Sequence, residues 1–297
     1  MNANEYLNGH NVTEIKVGQS GADVYEIDGK YVLKHVIRRK LHEEQFITYT
    51  REVSFYRNQM MRQRAYLPKV LEAEASEDEI TILMKKYGCP KRHAINTELI
   101  RKITRALAAL HTDGIPPFLC KDKEKAEPLS EQMITECLNG WKSVLAEHPG
   151  SFHEKQLEEI ASRINDLIAW HDSEDCVLVH GDFHWDNLLQ DENGNILLCD
   201  WQGVNLGGAS GDLSFFLSRL GGDGIQLDAA GFLGSYVDAI RELSGKRIEP
   251  QDITLHMNAA NVITSFAFWH EYLHGSSEER VRDIYGKMTK DFMNCHL

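Results

Sequence analysis

Val177-Leu178-Val179-His180-Gly181-Asp182-Phe183-His184-Trp185-Asp186-Asn187 continues as Leu188-Leu189-Gln190-Asp191-Glu192-Asn193-Gly194-Asn195-Ile196-Leu197-Leu198-Cys199-Asp200, and the reading of this stretch decides the fold. An apolar strand runs into His180-Gly181-Asp182, and two short apolar runs flank Asn193-Gly194, the preferred pair for a two-residue type I′ hairpin turn. With those two residues at the turn, Glu192 pairs with Asn195, and counting outward sets Asn187 opposite Asp200. Opposed side chains share a face with Cβ atoms roughly 4.5 to 5.5 Å apart. An amide oxygen and a carboxylate at that separation make a hard-oxygen site, suited to Mg²⁺ that keeps waters and phosphate oxygens. Asp182 lies in the loop just before the hairpin, next to this site without belonging to it. That is the place for a group that receives a hydroxyl proton during phosphoryl transfer.

Outward from this island the chain changes character near Gly88. Upstream lie short β-patterned runs, Val12 to Val17, Ala22 to Ile27, Tyr31 to Ile37, Pro68 to Ala73 and Glu79 to Lys85, with one amphipathic helical stretch from Glu43 to Arg64. They predict a five-stranded sheet with a helix. Downstream come long helical patterns at Thr97 to His111, Ser130 to Glu147, Phe152 to Trp170, Leu213 to Leu220, Asp228 to Leu243 and Ile253 to Leu273. Tyr87-Gly88-Cys89-Pro90 is the strongest break, since Gly and Pro both resist continuing a strand or helix. The expected division is therefore an N-terminal lobe over 1–87 and a C-terminal lobe over 88–297.

Length agrees, because 297 residues suffice for roughly two domains or one domain in two lobes. A hydrophobic content of 42% with 26% charged residues is that of a folded globular chain. Thirty-two basic against 45 acidic residues leave a net charge of −13, which argues against nucleic acid as a partner and mildly favours a cationic acceptor. The cysteines form no CxxC pair and suggest reduced thiols. No apolar run approaches the roughly 20 residues that cross a bilayer, and residues 1–18 are too polar for a secretory signal. A cytoplasmic protein with no membrane partner is expected.

His180-Gly181-Asp182-Phe183-His184-Trp185-Asp186-Asn187 matches HGDxxxxN, and with the following hairpin it resembles the catalytic loop and metal hairpin of the aminoglycoside phosphotransferase/choline kinase family, whose fold is that of the protein kinases. The resemblance implies an α+β, two-lobed architecture, with a small antiparallel-sheet lobe for nucleotide and a larger, mainly helical lobe for catalysis and substrate. It implies Asp182 as catalytic base and Asn187 and Asp200 as Mg²⁺ ligands. Upstream, Gly18-Gln19-Ser20-Gly21 lies between the first two strands, where Gly18, Ser20 and Gly21 would cover phosphates of ATP or GTP with backbone N–H groups. Lys34 shares a strand face with Val32 and Val36, and an inward ammonium needs an anionic partner. By resemblance Lys34 binds the α/β phosphates and Glu52 orients it, with Glu43 and Glu44 as competitors for that pairing. Val32, Met84, Lys85 and Tyr87 would surround the base, the backbone of Lys85 to Tyr87 pairing with it. His184 stands where protein kinases place a lysine near the γ-phosphate, and is either a donor there or a brace of the loop. His180 is expected to pack and hydrogen-bond the loop. Asp212, in Gly211-Asp212-Leu213, either braces the loop or caps the helix that follows. Trp201-Gln202 after the metal aspartate, in place of Phe-Gly, and Gly181 in place of arginine separate the chain from the phosphorylation-switched protein kinases.

The acceptor implied is a small molecule bearing a hydroxyl, an aminoglycoside-type antibiotic first, with choline or another small metabolite as the alternative. Asp223, Glu271 and Tyr272 are candidate acceptor contacts, the acids for a cation and the ring for a sugar or quaternary amine. Two rival classes stand beside the kinase. One is a kinase-fold binding protein without catalysis, which the presence of Lys34, Asp182, Asn187 and Asp200 together disfavours. The other is a zinc protease through His270-Glu271-Tyr272-Leu273-His274, a literal HExxH. That pattern arises by chance about twenty times as readily as HGDxxxxN at this composition.

Overall fold

The computed structural model describes residues 6–15, 21–60, 62–119 and 127–295. Five antiparallel strands form the first sheet: β1 (Val12–Glu14), β2 (Asp23–Ile27), β3 (Tyr31–Ile37), β4 (Val70–Ala75) and β5 (Glu79–Lys85), in the order β1-β2-β3-β5-β4. The β-branched and aromatic residues of β3 suit the middle of a sheet. Leu33 on β3 and Ile80 and Ile82 on β5 are fully buried. Helix α1 (Glu43–Met60) buries Phe46, Tyr49, Glu52, Val53, Tyr56 and Gln59, an i, i+3, i+7 stripe that carries one carboxylate among apolar neighbours. Both the five-stranded sheet and its helix match the sequence reading.

Further along are α2 (Thr97–His111), α3 (Glu131–Ala146), α4 (Lys155–His171), β6 (Cys176–Val179), β7 (Leu188–Gln190), β8 (Ile196–Leu198), β9 (Asn205–Gly208), α5 (Ala209–Gly222), α6 (Ala229–Ser244), α7 (Pro250–Thr264), α8 (His270–Leu273) and α9 (Glu278–Asn294). The side chains of Asn96, Ser130, Asp228 and Ser277 cap α2, α3, α6 and α9, each accepting from a backbone N–H of the first turn. Among the described residues no helix is long and apolar enough to cross a membrane. The chain packs as two compact units, one of Met1–Asp122, Val177–Leu206 and Phe215–Arg247, the other of Lys123–Cys176, Gly207–Ser214 and Ile248–Leu297. The 87/88 junction falls inside the first.

The second unit has its own core. Trp141, Leu157, Ile160, Ile164, Ala259, Val262, Phe266, Val281 and Met288 are buried together. A single π-helical turn over Ser265–Trp269 interrupts what the sequence presents as one helix from Ile253 to Leu273. Trp141 donates its indole N–H to the carbonyls of Ser265 and Phe266 at 3.2 and 3.1 Å, so the disturbed ladder finds a partner in the neighbouring helix. Helix α9 escapes the sequence reading, although Ser277 as cap and Val281, Tyr285 and Met288 at i, i+4 and i+7 carry its pattern.

The hairpin register corrects the expectation. Leu188 pairs with Leu198, Leu189 with Leu197 and Gln190 with Ile196, one residue away from the register a two-residue turn imposes. Asp191 N–H donates to Asn195 O at 3.0 Å and Gly194 N–H to Asp191 O at 2.9 Å, with Gly194 at φ 75°. This is the three-residue loop, a turn closed by a left-handed glycine. The Asp191 carboxylate selects it by accepting from the backbone of Asn193 (2.9 Å) and Asn195 (2.7 Å) and from the Asn195 amide (2.9 Å). Asn187 therefore faces Cys199, whose N–H donates to Asn187 O at 3.0 Å.

Candidate active site

Lys34 sits on the inner face of β3 with only 9% of its surface exposed. Its Nζ lies 2.8 Å from Glu52 Oε2 and 2.8 Å from Asp200 Oδ1, and over the Tyr49 ring at 4.9 Å. Glu52 is fully buried and also accepts the Trp201 N–H at 3.2 Å. Glu43, one of the two competitors for this pairing, bonds Arg38 instead. Burial alone lowers an ammonium's pKa, but the two carboxylates outweigh it and hold Lys34 above its ordinary value. Burial likewise pushes the Asp200 carboxyl up, and Lys34 together with a Gln202 hydrogen bond at 2.6 Å more than reverses it, leaving Asp200 below the usual range.

Asp200 has φ 66° and ψ 71°, a left-handed backbone that a non-glycine residue adopts at a cost. The one-residue shift of the hairpin turns a strand residue's side chain to the opposite face. At Asp200 the strand has ended, and the left-handed backbone aims the carboxylate at Lys34.

The loop from His180 to Asn187 alternates anchors with functional groups. Phe183 and Trp185 are buried, Phe183 packing on Phe216 at 4.9 Å and Trp185 donating its indole N–H to Pro90 O at 3.2 Å. Asp182, just before Phe183, has a side chain 44% exposed, whereas that of His184, between the two anchors in sequence, is 16% exposed. Asn187 Nδ2 donates to Asp182 O at 2.8 Å and Oδ2 at 3.1 Å. His184 Nδ1 accepts the Asp186 N–H at 3.3 Å, which leaves the ring proton on Nε2, 3.4 Å from Asp182 Oδ2. His184 thus lies beside Asp182. His180, fully buried, bonds Cys199 O through Nε2 at 3.0 Å and accepts the Asp182 N–H through Nδ1 at 3.3 Å, which fits the packing role expected of it.

Gly181 has φ 76°, and a Cβ there would lie 2.0 Å from Gly203 O. Two backbones touch at this point, so the second letter of HGD must be glycine. Gly181→Ala should cost about 3 kcal/mol in urea unfolding, from clash and strain together; a cost under about 1 kcal/mol would contradict the close approach.

The remaining sequence candidates divide. Gly18 and Ser20 lie outside the described residues. Gly21 has φ 77° and is packed closely by Leu41. Val32 pairs with Met84 across β3 and β5. The Lys85 and Lys86 amides are committed to Lys69 O at 2.9 Å and Lys30 O at 2.8 Å, so the expected base pairing narrows to carbonyls of this stretch and the Tyr87 N–H. Gln190 N–H donates to Gly88 O at 2.7 Å, tying the segment after β5 to the β7–β8 hairpin. Asp223 is bridged by Arg92 at 2.8 Å to Asp186, a link the sequence reading missed because Arg92 carries no motif. Asp212 lies inside the first turn of α5 and is buried, which rules out the cap role at Leu213. Glu271 and Tyr272 belong to the second unit and are exposed.

The HExxH reading fails on geometry. Its helix ends at Leu273, His274 has ψ 130° and bonds Glu147 Oε1 at 2.7 Å, and the His270 ring packs against Gly140. The i, i+4 face that a zinc helix needs does not exist here.

The donor set fits a divalent cation and phosphate. One ammonium stands against Glu52 and Asp200, and Asn187, with its amide N–H committed to Asp182, keeps its oxygen for another partner.

A small lobe-type sheet with this buried lysine pair, followed by the HGD loop and metal-type hairpin, defines a protein-kinase-like fold. The chain belongs to the ecdysteroid kinase-like family, whose model matches residues 11–244. It is similar in structure to the ADP-bound aminoglycoside phosphotransferase APH(2″)-Ib, at 17% identity and TM-score 0.57 over 98% of this chain and 99% of that one. It is also similar to the choline kinase LicA from Streptococcus pneumoniae (13%, TM-score 0.54, 98% and 95%) and to an ethanolamine kinase from Plasmodium vivax (12%, TM-score 0.55, 98% and 84%). No curated protein matches the sequence.

Proposed function

We propose that the protein is a small-molecule kinase that transfers the γ-phosphate of Mg-bound ATP or GTP to a hydroxyl of a small, cationic acceptor. The observation that carries this reading is the junction of two clusters in one unit: Lys34 held by Glu52 and Asp200, and Asp182 held by Asn187 and His184. Residues 1–87 would hold the nucleotide and 88–297 would supply the base, the metal ligands and the acceptor site.

Mg²⁺ on Asn187 and Asp200, when bound, supplies charge neutralisation at the phosphates. Lys34 keeps its proton through the two carboxylates and so presents a permanent cation to phosphate oxygens. Asp182 accepts the acceptor's hydroxyl proton at a carboxylate oxygen that the Asn187 amide and the His184 Nε2–H orient, and its exposure leaves room for that hydroxyl. The described cysteines are all free thiols, in keeping with a reducing compartment such as the cytoplasm.

An aminoglycoside-type antibiotic is the first acceptor of choice, given the net charge of −13. Choline and other small metabolites form the second reading, and the family's name adds polyhydroxylated steroids to the panel. The test is product mass after incubation with Mg²⁺, ATP or GTP and members of each class, using Asp182→Ala as blank. A gain of one phosphoryl group on one acceptor, absent in the blank, is expected; nucleotide turnover equal in enzyme and blank across the panel would contradict the reading.

A further inference from the structure

A second cluster of ligand-type side chains lies wholly within the second unit, apart from the residues of the phosphoryl-transfer site. His171 ends α4, Glu174 follows in the turn that continues it, and His256 comes from α7. One ligand atom of each lies within 4.8 Å of the other two. The Glu174 N–H donates to His171 O at 3.2 Å, so the two side chains leave the same turn.

The His256 ring and the Glu174 carboxylate are held. Trp170 stacks on His256 at 4.2 Å with the planes only 5° apart, which fixes the imidazole. His256 Nδ1 is buried and makes no hydrogen bond, a state that leaves a lone pair or a proton unsatisfied. Glu174 is positioned by the Ser210 N–H at 3.0 Å and by the Ser210 hydroxyl. It fits only because residue 208 is glycine, since a Cβ there would lie 1.9 Å from Glu174 Oε2.

Two imidazoles and one carboxylate, braced by a stacked ring and by hydrogen bonds to the carboxylate, are what a first-row divalent metal with open positions requires. Zinc bonds of about 2.1 Å place tetrahedral ligand atoms about 3.4 Å apart, so side-chain shifts of about 1 Å close the site without moving a helix. We infer that His171, Glu174 and His256 bind a borderline divalent metal, Zn²⁺ foremost, linking the end of α4 to α7 and, through Ser210, to the first turn of α5. The inference is independent of the kinase reading.

The test uses the full chain stripped with chelator, with Zn²⁺ measured by competition against a chromogenic chelator and Co²⁺ as spectroscopic probe. The expected result is one equivalent bound with Kd below about 1 μM and a thermal midpoint raised by about 3 °C or more at saturation. His256→Ala should weaken binding about 100-fold. Glu174→Gln, which can still accept from the Ser210 amide, should weaken it about tenfold while the metal-free midpoint stays within about 2 °C. The bound Co²⁺ should show d–d bands and no thiolate charge-transfer band. Absence of stoichiometric binding, affinity unchanged in the His171→Ala/His256→Ala double variant, or a thiolate band would each overturn the inference.

Discussion

Asp182→Asn should lower phosphoryl transfer by about a thousandfold while leaving Mg-nucleotide affinity within about twofold of wild type. The asparagine keeps the shape of the side chain and an oxygen for the Asn187 amide, now 3.1 Å from Asp182 Oδ2, but cannot take a proton. The loop itself is fixed by Phe183, Trp185 and the His180 bonds to Cys199 and Asp182, so the half-exposed residue 182 changes without moving its neighbours. Steady-state transfer and nucleotide titration on the same preparation separate the two effects. Transfer within tenfold of wild type would remove Asp182 from the role of base.

Glu52→Ala should cost about 3 to 5 kcal/mol of stability, the range for removing one partner of a buried ion pair. Lys34 keeps Asp200, yet the cavity is lined by the fully buried helix face, and the Trp201 N–H also loses its acceptor. Glu52→Gln keeps size and acceptor, and should cost about half as much. Urea unfolding measures both, and a cost below about 1 kcal/mol for the alanine would show that Glu52 does not hold Lys34. The pH dependence has a definite sign. Asp200 is held below its ordinary value, so its contribution is fully present above about pH 4 and lost as pH falls through its folded pKa. Lys34 is held above its ordinary value, so its contribution is complete at every pH below about 10 and is lost only as pH rises through the raised value. On the acid side the Asp200 contribution should be lost, while Glu52, whose carboxyl burial holds above its ordinary value, contributes in the opposite sense.

The sequence carries the architecture wherever a local pattern and a tertiary requirement coincide. Tyr31-Val32-Leu33-Lys34-His35-Val36-Ile37 forms β3 over its expected length, and Lys34, which alternates with Val32 and Val36, is buried. The HGD loop is legible for a similar reason. Gly181 answers a backbone approach to Gly203, and the buried Phe183 and Trp185 alternate with Asp182 and His184. Where one side chain overrides a local preference, the sequence misleads. Asn193-Gly194 favours a two-residue turn in isolation, but Asp191 accepts from the backbone N–H groups of Asn193 and Asn195 and lengthens the loop by one residue. The His270 to His274 spacing likewise assumes an unbroken helix that the π turn and the Glu147 bond undo. Arg92 joins Asp186 to Asp223 across a separation no spacing rule reveals.

Mg-dependent nucleotide binding by wild type and by Asp200→Ala tests the central claim most directly. Calorimetric titration with ATP and with GTP, with Mg²⁺ and with chelator, should give saturable binding by wild type only with the metal. In Asp200→Ala, affinity should fall at least about tenfold and lose its dependence on Mg²⁺. Equal affinity in the two proteins, or wild-type binding indifferent to Mg²⁺, would contradict the assignment of Lys34, Glu52, Asn187 and Asp200 to a metal–nucleotide site.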